Sequence, residues 1–289
     1  MISDKIKTEI YDFLGTNDEY NKYISSLDKI VKYSKGNITF NVLINSISPS
    51  YDEKEIIKNL NRVYKFTNNG HFTIYLSLSP FKKQFNSSPT IPLSRFNINS
   101  GFTYLRRYLS NVPNEIFILR KEEFGKVLFH EIIHHNSQIH STFKDINIQK
   151  LQKHFNIKSI IDPNEAIVEF WATVMFLKQI SEETNKDFYK LFLEELKYSL
   201  YKSYQLFQIQ KQNNGIWFDY TNIYCYVIFK TIIMYNLLEF QKIYTFPYND
   251  DIITDFLIKY SSSLPLTITS NPTTKRSDNS LCFMVNSDW

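Results

Sequence analysis

Phe124-Gly125-Lys126-Val127-Leu128-Phe129-His130-Glu131-Ile132-Ile133-His134 is the stretch on which the reading of this chain turns. Its apolar residues recur as in a helix buried on most sides, and within it His130 and His134 stand four apart with Glu131 beside the first. Four residues of α-helix advance about 6 Å and return to the same face, so both imidazoles can reach one ion. Zinc takes histidine nitrogens at about 2.0–2.1 Å. A carboxylate next to such a pair can take the proton of a zinc-bound water, whose pKa the ion lowers towards about 7. Composition alone predicts roughly 0.006 occurrences of the H-E-x-x-H pattern, and four of the six histidines fall between residues 130 and 140. Two imidazoles and a carboxylate buried together are costly unless something compensates them, and a metal does so.

Working outward, the segments before this helix mix two periods. Ile6 to Leu14, Asn17 to Tyr33 and Asp52 to Tyr64 read as helices, and Ile38 to Ile44 and Phe72 to Leu78 as strands. Gln84 to Ser100 is polar and Pro-bearing and reads as a loop, followed by short strands at Gly101 to Leu105 and Glu115 to Leu119, and the central helix spans Lys121 to Asn136. Beyond it the periodicity is helical: Asp145 to Phe155, Pro163 to Ile180, Glu182 to Gln212, Asp219 to Phe240 and Asp250 to Tyr260. The expected class is α+β, with a small sheet leading into the HExxH helix and a mostly helical C-terminal half. The expected divisions are 1–135, 136–262 and a Ser/Thr/Asn/Pro-rich tail at 263–289.

A catalytic zinc site wants a third protein ligand and one open position. Glu165 is the first candidate, in Asp162-Pro163-Asn164-Glu165-Ala166-Ile167-Val168-Glu169, where Asp162 suits an N-cap and Pro163 the first helical position. Glu169, one turn on, can accept the far N–H of a ligating histidine and fix its tautomer. The two glutamates can also exchange roles, and Glu165 suits equally a capping-box position reaching back to Asp162. His140 is the second candidate. His130, His134 and His140 keep the spacing of the metzincin signature HExxHxxGxxH. Ser137 stands at its glycine, however, where a left-handed turn strains any other residue, and no methionine sits in an evident tight turn downstream.

HEIIH followed by an NEAIVE helix resembles the gluzincin branch of the HExxH metallopeptidases, with a glutamate helix similar to that of thermolysin-like enzymes. The resemblance implies His130, His134 and Glu165 as ligands of one zinc per chain, Glu131 as general base and Glu169 behind the ligands. It implies hydrolysis of peptide bonds in a peptide or protein substrate by a zinc-bound water. Glu165 stands 31 positions after His134, so an inserted segment at 141–161 loops out. Residues 99 to 172 also look similar, more loosely, to uncharacterised HExxH proteins of large DNA viruses, which would allow packaging in a viral particle. In the gluzincins a strand beside the active-site helix pairs with extended substrate, and Gly101 to Leu105 or Glu115 to Leu119 would serve here. An oxyanion-stabilising donor is expected from the helical half. Among Tyr220, Tyr224 and Tyr226 the preferred one is Tyr226, against the background that most of 20 tyrosines pack in the core. Two alternatives accompany this expectation: a metzincin-like protease using His140, and a non-catalytic binding or regulatory protein carrying a relic HExxH. An intact Glu131 speaks against the relic.

The rest of the 289 residues narrows the field. A chain 43% hydrophobic and 16% aromatic, with only 6 Gly and 9 Pro, is globular. Lys and Arg number 33 against 29 Asp and Glu, a net charge of +4 in small clusters without a basic stripe, so nucleic acid is not the expected partner. Cys225 and Cys282 lack CxxC spacing and read as small buried hydrophobes in a reducing compartment. Tyr224 to Phe240, the longest apolar stretch, is broken by Lys230 and Asn236. No signal or membrane segment is evident, and a cytoplasmic location is expected. His71, His135 and His154 read as structural or surface residues.

Overall fold

β-Branched and aromatic residues concentrate in Ile38–Ile44, Phe72–Ser79 and Glu115–Arg120, and these become the inner strands of a mixed five-stranded sheet. The computed structural model describes residues 2–15, 17–68, 70–86, 91–104, 114–135, 142–245, 247–265, 280–282 and 284. In chain order the elements begin with α1 (Asp4–Leu14), α2 (Asp18–Ser26), β1 (Lys29–Lys35), β2 (Ile38–Ile44), α3 (Glu53–Thr67) and β3 (Phe72–Ser79). Then come α4 (Arg95–Ile98), β4 (Gly101–Thr103), β5 (Glu115–Arg120) and α5 (Phe124–His135). The helical remainder comprises α6 (Asp145–Phe155), α7 (Asn164–Thr184), α8 (Phe188–Gln212), a π-helical turn (Cys225–Phe229), α9 (Lys230–Tyr235), α10 (Leu237–Ile243) and α11 (Asp250–Tyr260). The class is α+β, as the mixed periodicity predicts. No helix among the described residues is long and apolar enough to cross a membrane.

Two compact units divide the chain, one of residues 1–83 and 99–137, the other chiefly of 84–98 and 138–287. In the first, the strand order is β1-β2-β3-β5-β4, with β2, β3 and β5 parallel and β1 and β4 antiparallel at the edges. One face carries the core: Phe40, Val42, Ile74, Leu76, Ile116 and Ile118 from the strands meet Leu60 and Val63 of α3 and Phe124, Val127, Leu128 and Ile132 of α5. On the other face the Tyr23 hydroxyl of α2 donates to Ser77 O (2.6 Å), and Phe13 of α1 stacks on Phe102 of β4 with ring centroids 4.3 Å apart.

Helix α5 begins at Phe124, three residues after the expected Lys121, because Glu123 adopts φ 60° immediately before it. Two buried charges hold this entry. The Arg120 guanidinium donates to Asn99 O and Phe81 O at 3.0 Å each, and Lys83 forms an ion pair with Glu123 in which both side chains are almost wholly excluded from solvent.

Several expected elements are corrected. The helix expected over Asn17 to Tyr33 ends at Ser26, and Lys29–Lys35 is instead an edge strand paired to β2 across a two-residue loop in which Gly36 takes φ 55°. The pairing partner, invisible to a helical periodicity, decides that segment. The loop expected over Gln84 to Ser100 contains α4. The helix expected to start at Glu182 is two helices. α7 runs on to Thr184 and ends at Asn185 in the left-handed conformation, and α8 starts where the Asp187 side chain accepts from Lys190 N (2.8 Å). The helix expected from Asp219 to Phe240 starts at Ile223, because the Asp219 side chain accepts from Thr221 N (2.6 Å) and folds the preceding residues into a turn.

Candidate metal centre

His130, Glu131 and His134 lie on α5, every residue of which is buried. The two histidine Nε2 atoms are 2.9 Å apart. Nitrogens bound at about 2.0–2.1 Å to one tetrahedral zinc stand about 3.3 Å apart, so small rotations of the two rings fit the pair to one ion. Without an ion the same spacing requires one Nε2 to carry a proton and donate to the other. Two buried imidazoles turned towards a common point, from successive turns of one helix, suit a divalent metal that prefers nitrogen ligands.

Glu131 is set by the sheet. A Cβ placed on Gly101 would lie 3.1 Å from Glu131 Oε1, 2.9 Å from Val127 Cγ1 and 2.9 Å from Phe117 O. Only glycine lets β4 approach α5 this closely, and the contact puts the Glu131 carboxylate alongside the edge strand. Of the two strands expected to present an edge, β4 is the outer one and β5 lies between β3 and β4. Leu105 lies outside the described residues. The Gly101 contact was legible in part, since a glycine within a strand signals close backbone approach, but its partner was not.

The second unit carries Glu165, Glu169 and Tyr226. Asp162 Oδ1 accepts from Asn164 N (3.1 Å), and Pro163 has helical backbone angles, so Asp162 caps α7 as its sequence suggests. The Asp162 N–H, to which a capping-box glutamate would reach back, donates to Asn222 Oδ1 at 2.9 Å. Asn222 O in turn accepts from Tyr226 N (3.0 Å), so one asparagine ties the start of α7 to the π-helical turn. Glu165 is half-buried on the first turn of α7, and Glu169, one turn on, is 1% exposed. Burial pushes the Cys225 thiol well up, and the carboxylates of Asp162, Glu165 and Asp219 add to the effect. Cys225 and Cys282 are both buried free thiols.

The three tyrosines separate. Tyr220 is exposed, and Tyr224 is buried with its hydroxyl donating to Gln210 Oε1 (3.2 Å) and its pKa raised by burial. Tyr226 is half-buried within the π-helical turn, a distortion frequent at functional sites. Ser137 and His140 lie outside the described residues.

The other histidines have separate places. His135 is buried, with Nε2 3.0 Å from Asn114 Oδ1 and Nδ1 3.5 Å from Thr103 Oγ1, which fastens the end of α5 to β4. His154 pairs with Ser261 Oγ (2.9 Å), and His71 is exposed. Sequence reasoning missed Arg120, Lys83 and Glu123, because a buried charge is recognised only from what surrounds it. No protein-family model, curated protein or solved structure matches the chain.

Proposed function

We propose that this chain is a zinc-dependent metallopeptidase of the gluzincin type, hydrolysing peptide bonds in a peptide or protein substrate. One zinc per chain would be held by His130, His134 and Glu165, which offer two imidazole nitrogens and a carboxylate. The observation that carries the reading is the buried pair of Nε2 atoms 2.9 Å apart with Glu131 beside them on one helix. Bound there, zinc supplies Lewis-acid polarisation of the scissile carbonyl and acidifies water.

The chain's own residues do the rest. Glu131 accepts the proton of the attacking water at a carboxylate oxygen and returns it to the leaving amine. Its place against Gly101 aligns the base with the β4 edge, where extended substrate backbone would add as a further strand. Glu169, buried in α7, orients a ligating side chain. Tyr226 donates its hydroxyl to the developing oxyanion.

The test is elemental analysis of protein purified without added zinc, beside His130→Ala, Glu165→Ala and His140→Ala, with turnover of a peptide library by Glu131→Gln. About one zinc per chain, lost in His130→Ala and Glu165→Ala and kept in His140→Ala, with Glu131→Gln holding zinc but not turning over, supports the proposal. Loss in His140→Ala and retention in Glu165→Ala would move the assignment to a metzincin-like site. No metal uptake on titration overturns the enzyme reading.

A further inference from the structure

On the outer face of the sheet in the first unit, aromatic rings stack in a row that crosses the strands. Tyr75 of β3 and Phe117 of β5 have centroids 4.9 Å apart, Phe117 and Phe102 of β4 4.6 Å, and Phe102 and Phe13 of α1 4.3 Å, with interplanar angles of 21°, 3° and 22°. These steps match the spacing of neighbouring strands, about 4.7–4.9 Å, because cross-strand side chains on one face stand side by side. The fourth ring, however, belongs to a helix. Phe13 therefore takes the place that the outward side chain of a strand added to β4 would take.

Helix α1 keeps this register along β4. Glu9 stands one turn before Phe13, about 6 Å along the helix, and Tyr104 stands two residues after Phe102, about 6.8 Å along the strand. The Tyr104 ring lies on the same face, 6.5 Å from both Phe102 and Phe117. Burial holds the Tyr104 phenol above its ordinary pKa, and the neighbouring Glu9 and Glu115 carboxylates add to the effect. Glu115 also accepts from the Tyr75 hydroxyl (3.4 Å). Glu9 pairs at 3.7 Å with Lys5, whose side chain is 71% exposed, and Glu115 forms no ion pair among the described residues.

We propose that α1 is the specificity wall of the β4 edge: it admits extended peptides with a small residue beside Phe102 and a basic residue two positions away, beside Tyr104. This rests on the reading of β4 as the edge that takes substrate, and names which substrates it takes. Gly101 turns towards α5, so Phe102 and Tyr104 turn away from it, and an added strand presents alternate side chains to α1. Beside Phe102 the space holds the Phe13 ring, so glycine, alanine or serine fits and a larger side chain collides. Beside Tyr104 an ammonium or guanidinium meets two carboxylates and an aromatic ring.

The experiment uses the full chain carrying Glu131→Gln, so that bound peptides stay whole. It is immobilised and incubated with a random library of end-blocked octapeptides, and the retained peptides are sequenced by mass spectrometry. Expected among them is Gly, Ala or Ser at one position and Lys or Arg two positions away. Aromatic residues should be depleted roughly ten-fold or more at the first, and basic residues enriched up to about five-fold at the second. Adding Phe13→Ala should open the first position to Phe and Tyr, whose rings can stack on Phe102, and leave the basic preference in place. Adding Glu9→Gln and Glu115→Gln should remove the basic preference and leave the small one. Retention of no peptide, or aromatic residues as frequent as small ones at the first position in the Glu131→Gln chain, overturns the proposal, even if Phe13→Ala fails to fold. Zinc content and turnover of the native chain test the peptidase reading apart from this: a chain that takes up no zinc yet selects this pattern loses the peptidase and keeps the wall.

Discussion

Gly101→Ala tests how Glu131, the base of the proposed reaction, is positioned. Ordinary contact begins at 3.4 Å, so an added Cβ would overlap Phe117 O and Val127 Cγ1 by about 0.5 Å each (3.4 − 2.9) and Glu131 Oε1 by about 0.3 Å (3.4 − 3.1). Gly101 does not need the left-handed region, so the effect is steric alone. Phe117 O belongs to the strand paired with β4 and cannot yield without opening the ladder. The relief therefore falls on α5. Overpacking of this size costs about 1–3 kcal/mol. A misplacement of about 1 Å can cost a hundred-fold in rate, so the smaller shift of Glu131 should lower peptide turnover roughly ten-fold. Stability is read by urea denaturation, and zinc uptake, proposed for His130, His134 and Glu165, should stay the same. Val127→Ala on the same background removes one of the three overlaps, so the double variant should lose about 0.5–1 kcal/mol less than the two single losses added together, while turnover stays low. A Gly101→Ala protein with native stability and native turnover would refute the account of how β4 meets Glu131.

Three further outcomes are expected. Lys83→Met strands the buried Glu123 carboxylate and should cost about 3–5 kcal/mol in denaturant unfolding, while adding Glu123→Gln should recover a good part; a loss below 1 kcal/mol would mean that the pair does not hold the entry to α5. Burial pushes the Asp219 carboxyl up to about 6 from 3.8. The native state then binds the proton more tightly than the unfolded chain, so this group's contribution to stability is greatest below pH 3.8, falls as pH rises towards about 6 and is flat above. The whole change is at most about 3 kcal/mol. Asp219→Asn should remove that slope between about pH 4 and about pH 6.5, and identical slopes in both proteins would count against it. Tyr226→Phe should lower turnover by about 10²–10³ with unchanged stability, whereas Tyr224→Phe, which loses the bond to Gln210, should do the reverse; a Tyr226→Phe protein with full turnover removes Tyr226 from the reaction.

Legibility followed the range of the interaction. The helix carrying His130 and His134, the strands Ile38–Ile44 and Phe72–Ser79, and the Asp162 cap of α7 were readable because spacing and capping act within a few residues. The edge strand Lys29–Lys35 was misread as helix, since its conformation comes from pairing with β2. The partner of the Asp162 N–H, Asn222 Oδ1, lies 60 positions further along the chain, beyond the reach of any local pattern.

By itself the sequence determined that two imidazoles and a carboxylate share one turn of a buried helix, because helical periodicity places residues four apart on one face whatever surrounds them. Only the tertiary structure decided which strand lies beside that helix, that Gly101 touches Glu131, and that Lys83 and Arg120 are buried at its entry. Those facts depend on groups brought together from distant parts of the chain, whose desolvation and pairing no local pattern encodes.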